Sequence, residues 1–361
     1  MNSNIYLKRQ TALKTLLAER GLDGMLITNL TNIRYLSGFT GSSATCIVLP
    51  DKQYFISDGR YDQQSKQEVK GFQRIIGSES HVEIMSARKQ NLIPGGVKLG
   101  YEGDHLTVTR FNELREQFPK VTWENCPGIL EDLQSVKDSS EIDAIRTAVE
   151  ITDAVFEEIL PLLKAGVTEK TVANRLALRY RELGDGEAYT PIVAGGPNSA
   201  LPHAVPTDRT FQSGDFIVID AAAKYAGYHA DMTRTPVIGP ATDKHREIYE
   251  LVKGAQQACL DQARAGVACK DLDSAARDFI TAGGYGDYFN HGTGHGLGLN
   301  IHTQPRLSQL SRQILAENNV VTVEPGIYLP EWGGVRIEDD IVVQADGCEI
   351  LNQTPRELLE L

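Results

Sequence analysis

"FIVIDAAAKYAGYHADMTRTPVI", residues 216–238, decides how the second half of this chain is built. An apolar run ends in Asp220, a turn-forming stretch follows, Asp231 comes next, and a second strand-like run completes a hairpin. "VVTVEPGIYLPEWGGVRIEDDIVV", residues 320–343, repeats the plan, with Glu324 closing one apolar strand and Glu338 lying fourteen residues later. Each acid sits at the edge of an apolar strand, where a buried, unpaired carboxylate is costly. Taken singly, any of them reads as a turn or edge residue, and "EDD" at 338–340 reads as a solvated strand end. Four in two parallel contexts are better explained by a shared cation, which offsets repulsion and desolvation together.

Between the hairpins lies "HGTGHGLGLNIHTQP", residues 291–305, which carries His291, His295 and His302 among glycines. On its own it reads as a loop and a strand. Joined to the acids it completes a carboxylate–imidazole set of the kind that holds borderline-hard divalent ions. So many carboxylates exceed what one ion needs, which implies two ions close together.

Working outward, 361 residues suggest about two domains. Apolar (41%) and charged (23%) fractions are those of an ordinary globular protein. A net charge of −12 argues against nucleic acid and anionic membranes as partners, because both select basic patches. Five scattered cysteines (Cys46, Cys126, Cys259, Cys269, Cys348) form no CxxC pair, so they suggest neither a disulfide framework nor a thiolate metal site. A polar, helix-patterned start and the absence of any apolar run near the ~18 residues that span a bilayer complete the expectation of a cytoplasmic protein.

The first third alternates helix and strand signals. "LKRQTALKTLLAERG" carries a stripe of Leu7, Leu13, Leu16 and Leu17 and stops at Gly21, and short β-type runs such as "GMLITN" and "QYFISD" follow. This predicts a small α/β domain over 1–130, leaving 131–361 for the second domain. Asp138 with Glu141 predicts a capped helix whose stripe runs through Ile145 to Val155. Thr168 caps another that ends at Gly184, and two more are expected over 243–264 and 271–282.

The order Asp220, Asp231, His295, Glu324, Glu338 in these contexts resembles the creatinase/aminopeptidase family of the pita-bread fold, which includes prolidases, aminopeptidase P and methionine aminopeptidases. The resemblance implies an α+β protein: a curved antiparallel sheet covered by helices, with an internal pseudo-twofold, preceded by a smaller creatinase-like α/β domain. It implies two divalent ions, Mn²⁺ foremost and Co²⁺ or Zn²⁺ as alternatives. Asp220 would chelate one, Asp231 and Glu338 would bridge both, and His295 and Glu324 would hold the other. "PHAVPTDR" matches a family motif and sets His203 by the substrate, with His291 and His302 beside the ligands. Arg336 would orient Glu338 or contact substrate. His229 and His245 match no family position and read as structural. Ala222, Ala230, Thr303 and Asn318–Asn319 depart from common family residues without removing a ligand.

The activity implied is hydrolysis of the bond before proline, with His203, His302 and Glu324 as catalytic groups. "NIRYLSGFTGSSATCIVL" and "FISDGRYDQQ" most resemble short bacterial aminopeptidase P enzymes, which remove a residue from longer Xaa-Pro peptides. An Xaa-Pro dipeptidase (prolidase) is the alternative, and a metal-free binding protein of the same fold is the non-enzymatic one. Proline-containing peptides are the expected partners, and the family implies a homodimer.

Overall fold

The computed structural model describes residues 3–88 and 92–361, which fall into two compact units, Met1–Gln134 and Ser135–Leu361. In the first, six strands form a mixed sheet in the order Gln73–Gly77, Gln53–Asp58, Thr45–Val48, Gly24–Ile27, Lys98–Tyr101, Thr122–Asn125. Gly24–Ile27 runs parallel to Lys98–Tyr101 and antiparallel to Thr45–Val48. Leu26, Ile47, Ile56 and Leu99 from the sheet pack against Met85, Leu114 and Phe118, giving the layered α/β core that the alternating pattern predicts.

In the second unit every pairing between named strands among the described residues is antiparallel. One half is built on Ile192–Gly195, Ile217–Asp220 and Thr233–Arg234, the other on Gly294–Gly296, Val320–Val323 and Asp339–Val343. A bridge from Thr233 to Glu338 joins the halves. Two helices back each half. Ser139–Ile159 opens on the predicted capping box, in which Asp138 and Glu141 each accept the other's backbone N–H. Glu169–Leu183 opens on Thr168 and ends at Gly184. Asp243–Leu260 and Cys269–Ala282 realise the two later helical stretches.

The helix stripes explain the placement. Phe156, Val172, Leu176 and Tyr180 pack on Ile217 and Ile219, while Ile248, Val252, Leu272 and Ile280 pack on Val321, Val323 and Ile341. All are nearly or fully removed from water, each contributing about 1.5–3 kcal/mol. With the helices on one face, the strand ends carrying the acids are left to meet one another. Among the described residues no helix is long and apolar enough to cross a membrane.

Candidate metal centre

Local geometry brings each acid in. After Asp220 the chain runs through Ala223–Tyr225, turns at Ala226 and Gly227 (φ 49° and 81°) and returns through Tyr228–His229. Two left-handed residues are what a type I′ hairpin requires, and the return pairs Thr233 with Asp220, setting Asp231 alongside. In the other half the register pairs Val323 with Asp339, so Glu324 and Glu338, one step further, stand opposite each other. His295 arrives on Gly294–Gly296, where an added Cβ at Gly294 would lie 2.0 Å from the Thr322 carbonyl oxygen. Only glycine permits that approach.

Ligand atoms of Asp231, His295 and Glu338 lie within 4.8 Å of one another. His295 Nε2 is 3.3 Å from Glu324 Oε1 and 3.6 Å from Asp231 Oδ2. Asp220 joins through Tyr189, whose hydroxyl reaches the carboxylates of both Asp220 and Asp231. All five predicted ligands are therefore gathered. Their protonation argues that they fit a cation. His295 Nδ1 is 3.1 Å from the Gly296 carbonyl, which can only accept, so Nε2 turns its lone pair toward the carboxylates. Burial, followed by the His302 charge, drives the His295 pKa down to about 3 and keeps the ring neutral. Burial, and then like charge from Asp220 and Asp231 respectively, pushes Asp231 and Glu338 well above the carboxylate range. Burial, opposed by Arg336, raises Glu324 to about 7. Lone pairs and carboxylates converging on one point fit a divalent cation, whose charge would offset their repulsion and their burial together.

Around this centre the structure adds residues that sequence patterns missed. Tyr189 precedes a strand in "GEAYTP" and belongs to no periodic stripe. Tyr189→Phe is expected to weaken the affinity for added Mn²⁺ about 10–100-fold by calorimetry, because the hydrogen bonds that orient two acids are lost; unchanged affinity would rule out that role. Thr233 Oγ1 donates to Glu338 Oε2 at 2.6 Å. Asp340 accepts the Asp231 backbone N–H at 2.8 Å. Asp339 and Asp340 are fully buried, so the solvated-end reading of "EDD" is overturned.

Arg336 lines the cavity over the centre and directly contacts a different acid, Asp220. Its guanidinium pairs with Asp220 Oδ2 at 2.5 Å and donates to the Tyr328 hydroxyl (2.7 Å) and Thr233 Oγ1 (3.1 Å). It reaches Glu338 only through Thr233. Tyr328 in turn meets His291 Nε2 at 2.8 Å, while His291 Nδ1 lies 2.8 Å from the Gly292 carbonyl. Both ring nitrogens of His291 are thus engaged by the protein. His302 stacks edge-on to His295 at 4.4 Å between ring centroids. His229 bonds the Gly298 carbonyl and His245 closes the cap of Asp243–Leu260, so both are structural.

A cavity of about 280 Å³ opens over the centre, lined among others by His203, Asp220, His302, Arg306, Glu324 and Arg336. It is smaller than the ~300–1,000 Å³ of drug-sized ligand pockets, which suits a small substrate. Arg306 was also missed, because on Thr303–Leu307 it alternates with buried Pro305 and Leu307 like any outward strand cation. No carboxylate pairs with its guanidinium among the described residues.

Comparison with known proteins agrees with this geometry. Residues 143–345 match Metallopeptidase family M24, and residues 9–136 match the Creatinase/Prolidase N-terminal domain. An Xaa-Pro dipeptidase from Pyrococcus horikoshii is 34% identical over 356 residues, covering 94% of this chain and 95% of that protein. The solved Xaa-Pro dipeptidase from Bacillus anthracis superposes with a TM-score of 0.95 at 37% identity, covering 99% of this chain and all of that one. The X-Pro aminopeptidase from Thermotoga maritima gives 0.88 at 37% identity, covering 94% and 98%. The two-part α+β architecture with a pita-bread second domain is that of these relatives.

Proposed function

The chain belongs to metallopeptidase family M24 and is a hydrolase, and from that premise we propose that it is an Xaa-Pro dipeptidase using two divalent ions. Of the two peptidase readings drawn from the sequence, the prolidase alternative is better supported than aminopeptidase P, since relatives of this name recur among both the sequences and the solved structures. The observation that carries it is Arg306, a guanidinium in the wall of a small cavity with no carboxylate partner among the described residues. A dipeptide ends in a carboxylate one residue past the scissile bond, and a guanidinium fork is suited to holding it. In a longer peptide that position is a neutral amide.

The residues that would hold the ions are those that the family resemblance implies, Asp220, Asp231, His295, Glu324 and Glu338. Bound divalent cations supply Lewis acidity and lower the pKa of water held by them. Glu324, whose carboxylate lines the same cavity, can accept a proton and return it to the departing nitrogen. That return is essential, since proline leaves as a secondary amine. His203 and His302 line the same cavity and can donate hydrogen bonds to oxygen as negative charge develops on it. Mn²⁺ is the ion we propose, with Co²⁺ or Zn²⁺ accepted by the same donors. We also read the chain as a cytoplasmic homodimer: all five cysteines are free, as a reducing compartment favours, and the family resemblance supplies the dimer, which light scattering tests.

The test compares an Xaa-Pro dipeptide with an Xaa-Pro-Yaa-Yaa peptide under added Mn²⁺, with chelator as control. Chelator-sensitive cleavage of the dipeptide, with the longer peptide cleaved poorly, is expected. Arg306→Gln should raise KM for the dipeptide about 10–100-fold, the worth of one charge-assisted pair, while hardly altering an Xaa-Pro amide. Preferred cleavage of the longer peptide, or equal effects on both substrates, returns the reading to aminopeptidase P.

A further inference from the structure

The segment that carries His203 has little regular structure: a short 3₁₀ turn at Gly196–Ala200 is followed by irregular chain to Thr207. His203 itself is exposed, so something must hold the backbone beneath it. Glu169, at the first turn of Glu169–Leu183, is fully buried. Its Oε1 accepts the Gly195 N–H (2.8 Å) and the Asn198 side-chain amide (3.0 Å). Its Oε2 accepts the Thr207 N–H (2.8 Å) and the Thr207 hydroxyl (2.7 Å). One carboxylate therefore closes the segment, one oxygen on each end. Two further contacts hold the interior: the Gly334 N–H donates to Ser199 Oγ at 2.8 Å, and Arg336 reaches the Pro202 carbonyl at 3.4 Å.

The other half of the sheet uses the same device. Asp273, fully buried on Cys269–Ala282, accepts both the N–H and the hydroxyl of Thr293 on Oδ1, at 3.0 Å each. Thr293 lies between His291 and His295. In each case a helix-borne acid takes two donors from one threonine and so fixes a histidine-bearing segment. A buried carboxylate is costly unless its lone pairs are filled, and here four donors fill those of Glu169.

We propose that Glu169 is a positioning residue for peptide hydrolysis, acting through residues 195–207 to hold His203 over the cavity. This rests on the reading that His203 contacts substrate. Glutamine at 169 keeps the shape but turns an –NH₂ toward groups that are themselves donors, so one end of the segment is released. Misplacing a contact group by about 1 Å can cost up to about 100-fold in rate.

The experiment has two readouts on the full chain. In Glu169→Gln, hydrogen exchange of peptides covering 195–207 should accelerate about tenfold or more while Val320–Val323 stays protected. Dipeptide kcat/KM should fall about tenfold or more, and Glu169→Gln with His203→Ala should be no worse than His203→Ala alone. Losses that multiply in the double variant overturn the proposal, because Glu169 then acts independently of His203. Unchanged exchange overturns it as well. If Glu169→Gln does not fold, Thr207→Val removes a single donor and should show the same non-additive pattern with a smaller loss. Absence of Xaa-Pro cleavage by the wild type would fail the functional reading and leave the exchange result to judge the clamp.

Discussion

Replacing Glu338 by alanine is expected to lower kcat/KM for an Xaa-Pro dipeptide by about a thousandfold or more, with bound Mn²⁺ falling below two per chain, because a carboxylate proposed to serve both ions is lost. The fold should survive. Glu338 is 1% exposed and lies among like charges, and burial together with Asp231 pushes its pKa well above the ordinary range. Without metal, the raised pKa leaves Glu338 largely protonated, so its removal costs the apoprotein only the Thr233 hydrogen bond and a small void, and the unfolding midpoint should fall modestly. What disappears is the stabilisation by added metal, about 2.7 kcal/mol for an ion present at a hundred times its Kd. Metal analysis, kinetics and unfolding with and without Mn²⁺ check the three parts. Turnover near that of wild type at saturating metal would end the two-ion proposal.

The second large effect falls on stability. Arg234 is 2% exposed and uses all its donor groups: Nε to the Pro355 carbonyl, one terminal nitrogen to the Thr233 and Glu338 carbonyls, the other to the Thr354 carbonyl and Asp339. The ion pair to Asp339 spans 2.6 Å, and Asp339 is fully buried. Arg234→Ala leaves that charge with Gln256 as its nearest donor, at 2.9 Å, and should cost about 3–5 kcal/mol. Fluorescence of Trp332, in the second unit, follows the relevant transition. Arg234→Lys should recover only part of the loss, since a point charge cannot reproduce a planar fork of donors. A cost below about 1 kcal/mol would mean the pair behaves like a surface one.

Legibility varied with the range of the interaction. The capping box of Asp138 and Glu141, the stripe from Ile145 to Val155 and the presence of the other three helices behind the sheet were readable, because caps and stripes depend on residues three or four apart. The five gathered residues were readable for a related reason: each closes a local apolar run or sits among glycines, and their order matched a family pattern. The separate roles of Asp339 and Asp340 were not readable, because three consecutive acids look alike in one dimension. Their partners lie more than a hundred positions away, Thr233 for Glu338, Arg234 for Asp339 and the Asp231 N–H for Asp340. Tyr189, Tyr328 and Arg306 had no signal, since a single tyrosine or strand arginine looks the same whether it faces water or a cluster of acids.

The sequence by itself determined the α/β pattern of the first part, the repeated hairpins and the capped helices, because strand ends, turns and helix caps are set by neighbours along the chain, while the α+β pita-bread architecture and the ligand set were implied by the family resemblance. Only the tertiary structure decided how the three acids at 338–340 divide, one to the centre, one to an ion pair and one to a backbone N–H, and that Arg336 answers Asp220. Those outcomes depend on the Thr233–Glu338 bridge, a pairing of distant strands that no local pattern specifies. The same holds for Arg306, which comes to line the cavity only because its strand pairs it with His295 across the sheet.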